Sequence, residues 1–322
     1  MLTPGMPSPH ETFESTAARP KSVDAERFAT VRSATVALTE TLGAEDMQVQ
    51  SMDDVSPTKW HLGHTTWFFE TFVLEADPDF TPFDPAYRVL FNSYYEQVGE
   101  KHPRAFRGLL TRPTLDQVLA YREHVDARVV ALLEHGVDRL GPRADLLELG
   151  LHHEQQHQEL MLMDAKHVLA QNPLRPSFRP EPPPLRTAAP PLSWSRFDGG
   201  LREIGHGEEG FAFDNEEPRH RVHVEPFALA SRVVTNREWL AFIEDGGYET
   251  PTLWLSDAWA RIQTVERWRA PLNWEERDGA WWQFKMPGLE RLRLDDPATH
   301  VSYYEADAFA TWAGARLPRE AE

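Results

Sequence analysis

The residues best suited to chemistry stand in two short clusters, His153-Glu154-Gln155-Gln156-His157 and Trp60-His61-Leu62-Gly63-His64. On a helix, residues four apart share a face, so His153 and His157 can present both imidazoles to one metal ion. Two imidazoles buried side by side cost desolvation free energy unless something satisfies them, and a metal does so. His64 shares a face with Trp60 and Trp67 and points inward, whereas His61 is expected to point elsewhere. His64, His153 and His157 together predict a three-histidine site with open coordination positions, with His61, His152 and His167 outside it. The bland alternative is a set of hydrogen-bonded core or surface histidines. A rival reading comes from the match to H-E-x-x-H, in which Glu154 would be the general base of a zinc protease. Its extended form fails, because Leu160 and Met163 occupy the positions of the glycine and the further histidine.

Helices must bring these side chains together. The first is predicted over Asp24 to Gly43, with Phe28, Val31, Ala34, Val36 and Leu38 as its apolar side. The second runs from Pro57, a good first-turn residue, to about Glu75. The third follows a Pro113-Thr114 cap and ends at His135-Gly136. The fourth starts after Gly141-Pro142 and runs to about Gln171. On it Leu146, Leu149, His153, His157, Leu160, Asp164 and Val168 step by three or four and define the inward stripe. Four such helices predict a bundle whose interior can hold a metal. Eight prolines between Pro173 and Pro191 exclude a helix or central strand and read as a semi-rigid linker. Nine of the eleven tryptophans follow Ser193, where glycine-punctuated short segments replace the long helical stripes. Arg221–Val224 alternates as a strand does, and Thr235–Asp245 and Tyr303–Ala313 read as short helices. The expected division is therefore a disordered tail over 1–22, a bundle over 23–172, a linker over 173–192 and an α+β domain over 193–322.

Composition removes other classes. Thirty-three basic against 51 acidic residues leave a net charge of −18, which repels nucleic acid and anionic membranes. No apolar run is long enough to span a bilayer, and no secretory signal opens the chain. Cysteine is absent, so disulfides, thiolate ligands and a cysteine nucleophile are all excluded, as befits a cytoplasmic protein. The expected partners are small molecules.

Three motifs carry a resemblance: Ser56-Pro57-Thr58-Lys59-Trp60-His61-Leu62-Gly63-His64-Thr65-Thr66-Trp67-Phe68-Phe69-Glu70, Phe91-Asn92-Ser93-Tyr94-Tyr95-Glu96, and His153-Glu154-Gln155-Gln156-His157. With them the chain resembles the ergothioneine-biosynthesis sulfoxide synthases (EgtB type). Such proteins join a DinB-like four-helix bundle to an α+β domain like that of formylglycine-generating enzymes, of C-type-lectin-like fold. Phe213-Asp214-Asn215-Glu216-Glu217-Pro218-Arg219-His220, Val234-Thr235-Asn236-Arg237-Glu238 and Gly314-Ala315-Arg316-Leu317-Pro318-Arg319-Glu320-Ala321-Glu322 resemble that second fold. The resemblance extends from about residue 25 onward.

By this resemblance His64, His153 and His157 are the ligands of an Fe(II) ion. Gln156 binds the substrate imidazole, and Arg104 and Arg107 grip the carboxylates of a thiol substrate, for which guanidinium forks are well suited. The implied reaction uses O2 to join hercynine (Nα-trimethylhistidine) to cysteine or γ-glutamylcysteine, with oxidation of the sulfur to a sulfoxide. Three neutral ligands leave Fe(II) its full double charge, which favours a bound thiolate. The resembling family continues for roughly another hundred residues, about the size of a further subdomain. That implies a second domain incomplete at its C-terminus, with the family's catalytic tyrosine beyond Glu322 and no residue here to take its role. Other classes remain open at this point: a DinB-like metal-dependent thiol transferase, or a noncatalytic metal-binding protein.

Overall fold

The structure, a computed structural model, describes residues 23–93, 99–136, 140–141, 143–180, 188–207, 209–262 and 267–322. The expected tail over 1–22 and the middle of the proline-rich linker lie outside the described residues. Four helices make the N-terminal bundle: α1 (Ala25–Ala37), α2 (Thr58–Phe69), α4 (Leu115–Glu134) and α5 (Arg143–Gln171), with a short α3 (Tyr87–Leu90) between the second and third. Local chemistry sets their ends. Asp24 caps α1 by accepting from the Arg27 amide at 2.7 Å, and Thr114 and Gln117 form a reciprocal capping box on α4. After Phe69 the chain continues as one π-helical turn over Glu70–Leu74.

Helix α2 is the central element, packed against both α4 and α5, while α1 also lies against α4 and α5. All twelve of its residues are buried. The bundle core gathers Phe28, Trp60, Trp67, Phe68, Phe69, Tyr121, Val125, Leu147 and Leu151 around it.

Two faces differ from the apolar patterns in the sequence. On α1 the buried residues are Phe28, Val31, Arg32 and Thr35, whereas Val36 is exposed. On α5 they are Leu147, Gly150, Leu151, Glu154, His157, Met161, Asp164, Ala165, Leu169 and Ala170: His157 and Asp164 keep their expected inward places, while the buried positions beside Leu146, Leu149, His153, Leu160 and Val168 lie one residue further on. Both shifts have one cause. Glu154 is completely buried and accepts from Arg32 at 2.8 Å, from Thr35 at 2.6 Å and from Arg122, so polar residues hold inward places on both helices that apolar counting does not give them.

Among the described residues, the second domain contains three small antiparallel sheets. β1 (Trp194–Phe197) pairs with β4 (Phe227–Ala230), β2 (Gly200–Ile204) pairs with β3 (His220–Val224), and β5 (Trp274–Arg277), β6 (Ala280–Lys285) and β7 (Gly288–Arg291) form a meander. The described residues also form the helices α6 (Asn236–Glu244), α7 (Ser256–Arg261) and α8 (Tyr303–Trp312), with α6 and α8 close to the expected ranges. Its core is aromatic: Trp239, Phe242, Tyr248, Trp254, Trp274 and Phe309. The β1–β4 ribbon lies at the surface, with Trp194, Phe197 and Leu229 exposed.

A third apolar cluster joins the domains. Ala165, Leu169 and Ala170 of α5 meet Phe178 of the linker and Phe284 of β6. The amides of Phe178 and Arg179 both donate to the Met286 carbonyl, at 2.8 and 3.0 Å. The first part of the linker is thus built into an interface. No helix among the described residues is long and apolar enough to cross a membrane.

Candidate metal centre

Helices α2 and α5 bring His64, His153 and His157 together, with one ligand atom from each lying within 4.8 Å of the others. Ring centroids are 5.0 Å apart for His64 and His153, 4.7 Å for His64 and His157, and 4.5 Å for His153 and His157. Close helix packing makes this possible. A Cβ on Gly150 would lie 2.5 Å from the Phe69 ring, and one on Gly63 would lie 2.2 Å from Phe91. Gly63 therefore lets the Phe91 segment approach α2.

That approach anchors the first histidine. His64 Nδ1 is 2.6 Å from the Phe91 carbonyl, which can only accept, so Nδ1 carries the hydrogen and Nε2 keeps its lone pair. The His64 ring is held between Trp60, stacked at 4.6 Å, and Trp67, stacked at 5.5 Å. His153 leans on Phe68, with centroids 4.8 Å apart, and its Nδ1 is buried with no hydrogen-bond partner among the described residues.

His61 requires a correction. It is not turned away from the histidine pair: only 2% exposed, it places Nδ1 2.8 Å from His157 Nδ1 and Nε2 3.0 Å from Asp164 Oδ2. Because α2 is enclosed on every side, it has no outward face for His61 to occupy. The other two histidines stand apart from the cluster. His152 stacks on Phe211 of the second domain at 4.0 Å, and His167 Nδ1 lies 2.6 Å from the Ser51 hydroxyl.

Electrostatics keep the three imidazoles neutral at neutral pH, the form a metal needs. Burial, then the neighbouring His153, holds His64 well below the ordinary imidazole range despite the Phe91 carbonyl. Burial, then His64, His61 and His153, does the same to His157. Burial lowers His153 to about 4 against the opposing charge of Glu154. Burial also lowers His61, with Asp164 opposing it. These residues fit a divalent transition metal: three converging neutral nitrogens and an orphaned ring nitrogen, a donor set suited to iron, zinc, nickel or copper.

The protease alternative does not fit. A general base must reach a metal-bound water, but Glu154 is sealed between Arg32 and Arg122. Burial would raise its pKa, yet the two arginines and the Arg122 and Thr35 hydrogen bonds outweigh burial and hold it at about 2. Such a carboxylate has almost no affinity for a proton at neutral pH.

The expected substrate residues fall in different settings. Arg107 is 4% exposed, donates to Ser56 Oγ at 2.9 Å and Ser93 Oγ at 3.0 Å, and lies 3.4 Å over the Trp60 ring. Trp60 stacks on His64, so Arg107 sits one ring away from that imidazole. Arg104, three residues earlier in the same 3-10 turn, is exposed and donates to the Asp54 carbonyl. Gln156 is exposed on α5, three residues beyond His153. Sequence reasoning gave no role to Asp164, although it stands seven residues beyond His157 on the inward side of α5.

The fold and the site together define a class: a DinB-type helical bundle with a three-histidine centre, followed by a small α+β domain. The DinB superfamily matches residues 27–161, and the sulfatase-modifying factor enzyme 1-like domain matches residues 189–322. Similar proteins include the hercynine oxygenase of Mycolicibacterium thermoresistibile, 34% identical over 83% of this chain and 58% of that protein. The hercynine oxygenase of Mycobacterium tuberculosis is 29% identical over 83% of this chain and 61% of that protein. That of Mycolicibacterium smegmatis is 33% identical over 92% of this chain and 67% of its own length. The chain belongs to the hercynine oxygenase family, and it spans about three fifths of the length of the first two relatives.

Proposed function

We propose that this chain forms the metal-binding portion of an Fe(II)- and O2-dependent enzyme. Its reaction would join the imidazole carbon of hercynine to the sulfur of cysteine or γ-glutamylcysteine and oxidise that sulfur to a sulfoxide. The observation that carries the reading is the convergence of three neutral imidazoles within 4.8 Å in a chain of this family. His64, His153 and His157 would hold the ion. Bound Fe(II) would supply the redox chemistry that couples O2 reduction to carbon–sulfur bond formation.

The chain's own residues would bind and orient the substrates. Gln156 would hydrogen-bond the substrate imidazole, a role supported by its exposure one turn beyond His153. Arg107 would take a carboxylate of the thiol substrate. Its hold by two serine hydroxyls fixes the guanidinium fork over Trp60, next to a ligand, and Arg104 would add a contact from the exposed end of the same turn.

Metal analysis after anaerobic purification, followed by O2 uptake with hercynine and each thiol, tests this. Replacing His64, His153 or His157 with Ala is expected to abolish stoichiometric iron while preserving helical circular dichroism. Undiminished iron in His153→Ala would sink the ligand assignment. Stoichiometric iron without hercynine-dependent O2 uptake would leave the binding site standing and sink the reaction.

A further inference from the structure

Behind His157 lies a buried chain of polar groups. The Ser56 amide donates to Asp164 Oδ2 at 2.9 Å, and the same oxygen is 3.0 Å from His61 Nε2. His61 Nδ1 is in turn 2.8 Å from His157 Nδ1. Asp164, His61, His157 and Ser56 are 5, 2, 9 and 2% exposed, so water is not available to replace these partners.

We propose that Asp164 and His61 are positioning residues for the metal centre: they fix the tautomer of His157 so that its Nε2 lone pair, and not a proton, faces His64 and His153. The inference rests on the three-histidine reading above and concerns only this chain's own residues.

Donor and acceptor accounting orders the protons. A backbone amide can only donate, so Asp164 Oδ2 is an acceptor, and His61 Nε2 beside it must carry a hydrogen. Neutral His61 then has a lone pair on Nδ1. At 2.8 Å that lone pair requires a donor, and among the described residues His157 Nδ1–H supplies it. His157 is left with its lone pair on Nε2, the nitrogen remaining to meet a metal. The reverse order would set a bare His61 nitrogen against a carboxylate oxygen and place a proton on His157 Nε2, where it blocks coordination. The Phe91 carbonyl orients His64 in the same manner, so two ligands from different helices have their protons drawn away from the centre.

Imidazole nitrogen–hydrogen correlation spectra of metal-free, 15N-histidine-labelled protein at pH 7.5 report which nitrogen is protonated, and Co(II) titration reports affinity. The wild-type protein is expected to show His157 as the Nδ1–H form and His61 as the Nε2–H form. Asp164→Leu removes the acceptor; His157 should populate its Nε2–H form, and Co(II) affinity should fall about 10- to 100-fold. Asp164→Asn keeps an oxygen able to accept from both Ser56 and His61, and it should retain the wild-type tautomers and most of the affinity. The relay is overturned if wild-type His157 is the Nε2–H form, if His61 carries protons on both nitrogens, or if Asp164→Leu, folded by circular dichroism, matches wild type in tautomer and affinity. If Asp164→Leu does not fold, the wild-type spectra decide. A wild-type protein that binds no Co(II) would overturn the three-histidine reading instead, and the metal-free spectra would still judge the relay.

Discussion

Glu154 stands beside His153 in sequence, yet the two side chains serve opposite ends. His153 is kept neutral and turned toward the other histidines; Glu154 is kept charged and buried between Arg32 and Arg122, with Asp126 completing the group at 2.6 Å from Arg32. A buried charge that loses its partner is costly, so Glu154→Gln should lower stability by about 3–5 kcal/mol at pH 7 in urea unfolding. The pH response follows from the same contacts. With its carboxyl held at about 2, below the ordinary value of 4.5, Glu154 contributes fully above about pH 4.5. That contribution is lost progressively as pH falls from 4.5 toward 2. Wild-type stability should therefore decline across this acid range, and the gap to Glu154→Gln should narrow. A constant gap between pH 5 and pH 3 would show that the carboxylate is not what the arginines need.

At the scale of elements, α2 acts as the axle of the bundle, and Gly63 governs how it meets the Phe91 segment. Any Cβ there overlaps the Phe91 ring, so Gly63→Ala must push the segment outward and draw the Phe91 carbonyl away from His64. Overpacking of this kind costs about 1–3 kcal/mol. The expected result is a modest loss in thermal stability with a disproportionate loss in Fe(II) affinity, measured against a competing chelator; equal affinity would show that His64 does not depend on that carbonyl. This element also marks the limit of what the sequence discloses. The four bundle helices, the cap at Thr114, and the meeting of His64 with His153 and His157 are legible from spacing and capping chemistry. The burial of His61, Arg32 and Glu154 is not. Amphipathic counting assumes that polar residues face water, and it fails where a polar group finds its partner more than ninety residues away, as Arg32 and Glu154 do. An enclosed helix such as α2 has no periodicity to read at all.

Across the whole molecule, the bundle and the second domain are coupled by a small apolar core as well as by the covalent chain. Phe178 is the centre of that contact, 2% exposed, packed with Leu169 and Phe284 and tied by its amide to Met286. Next to it Lys166 donates to His300; burial, and then Lys285, lower the lysine to about 8, and burial followed by the two lysines lowers His300 to about 4, so the bond joins a cation to a neutral ring at pH 7. Farther along α5, His152 stacks on Phe211 and brings the second domain next to His153. Phe178→Ala should remove about 3–5 kcal/mol of packing from an interface that has little else to replace it. Neither domain's own core contains this side chain. The loss should therefore appear as uncoupling: two thermal transitions in place of one, and faster cleavage within residues 173–180 by subtilisin, a protease of broad specificity. The bundle fragment so released should still bind Co(II), because all three histidines and the Asp164–His61 pair lie within it. A single transition at the wild-type temperature would show that the His152–Phe211 stack and the Lys166–His300 bond suffice to hold the domains together. Loss of Co(II) binding on cleavage would instead show that the second domain holds the metal centre in shape.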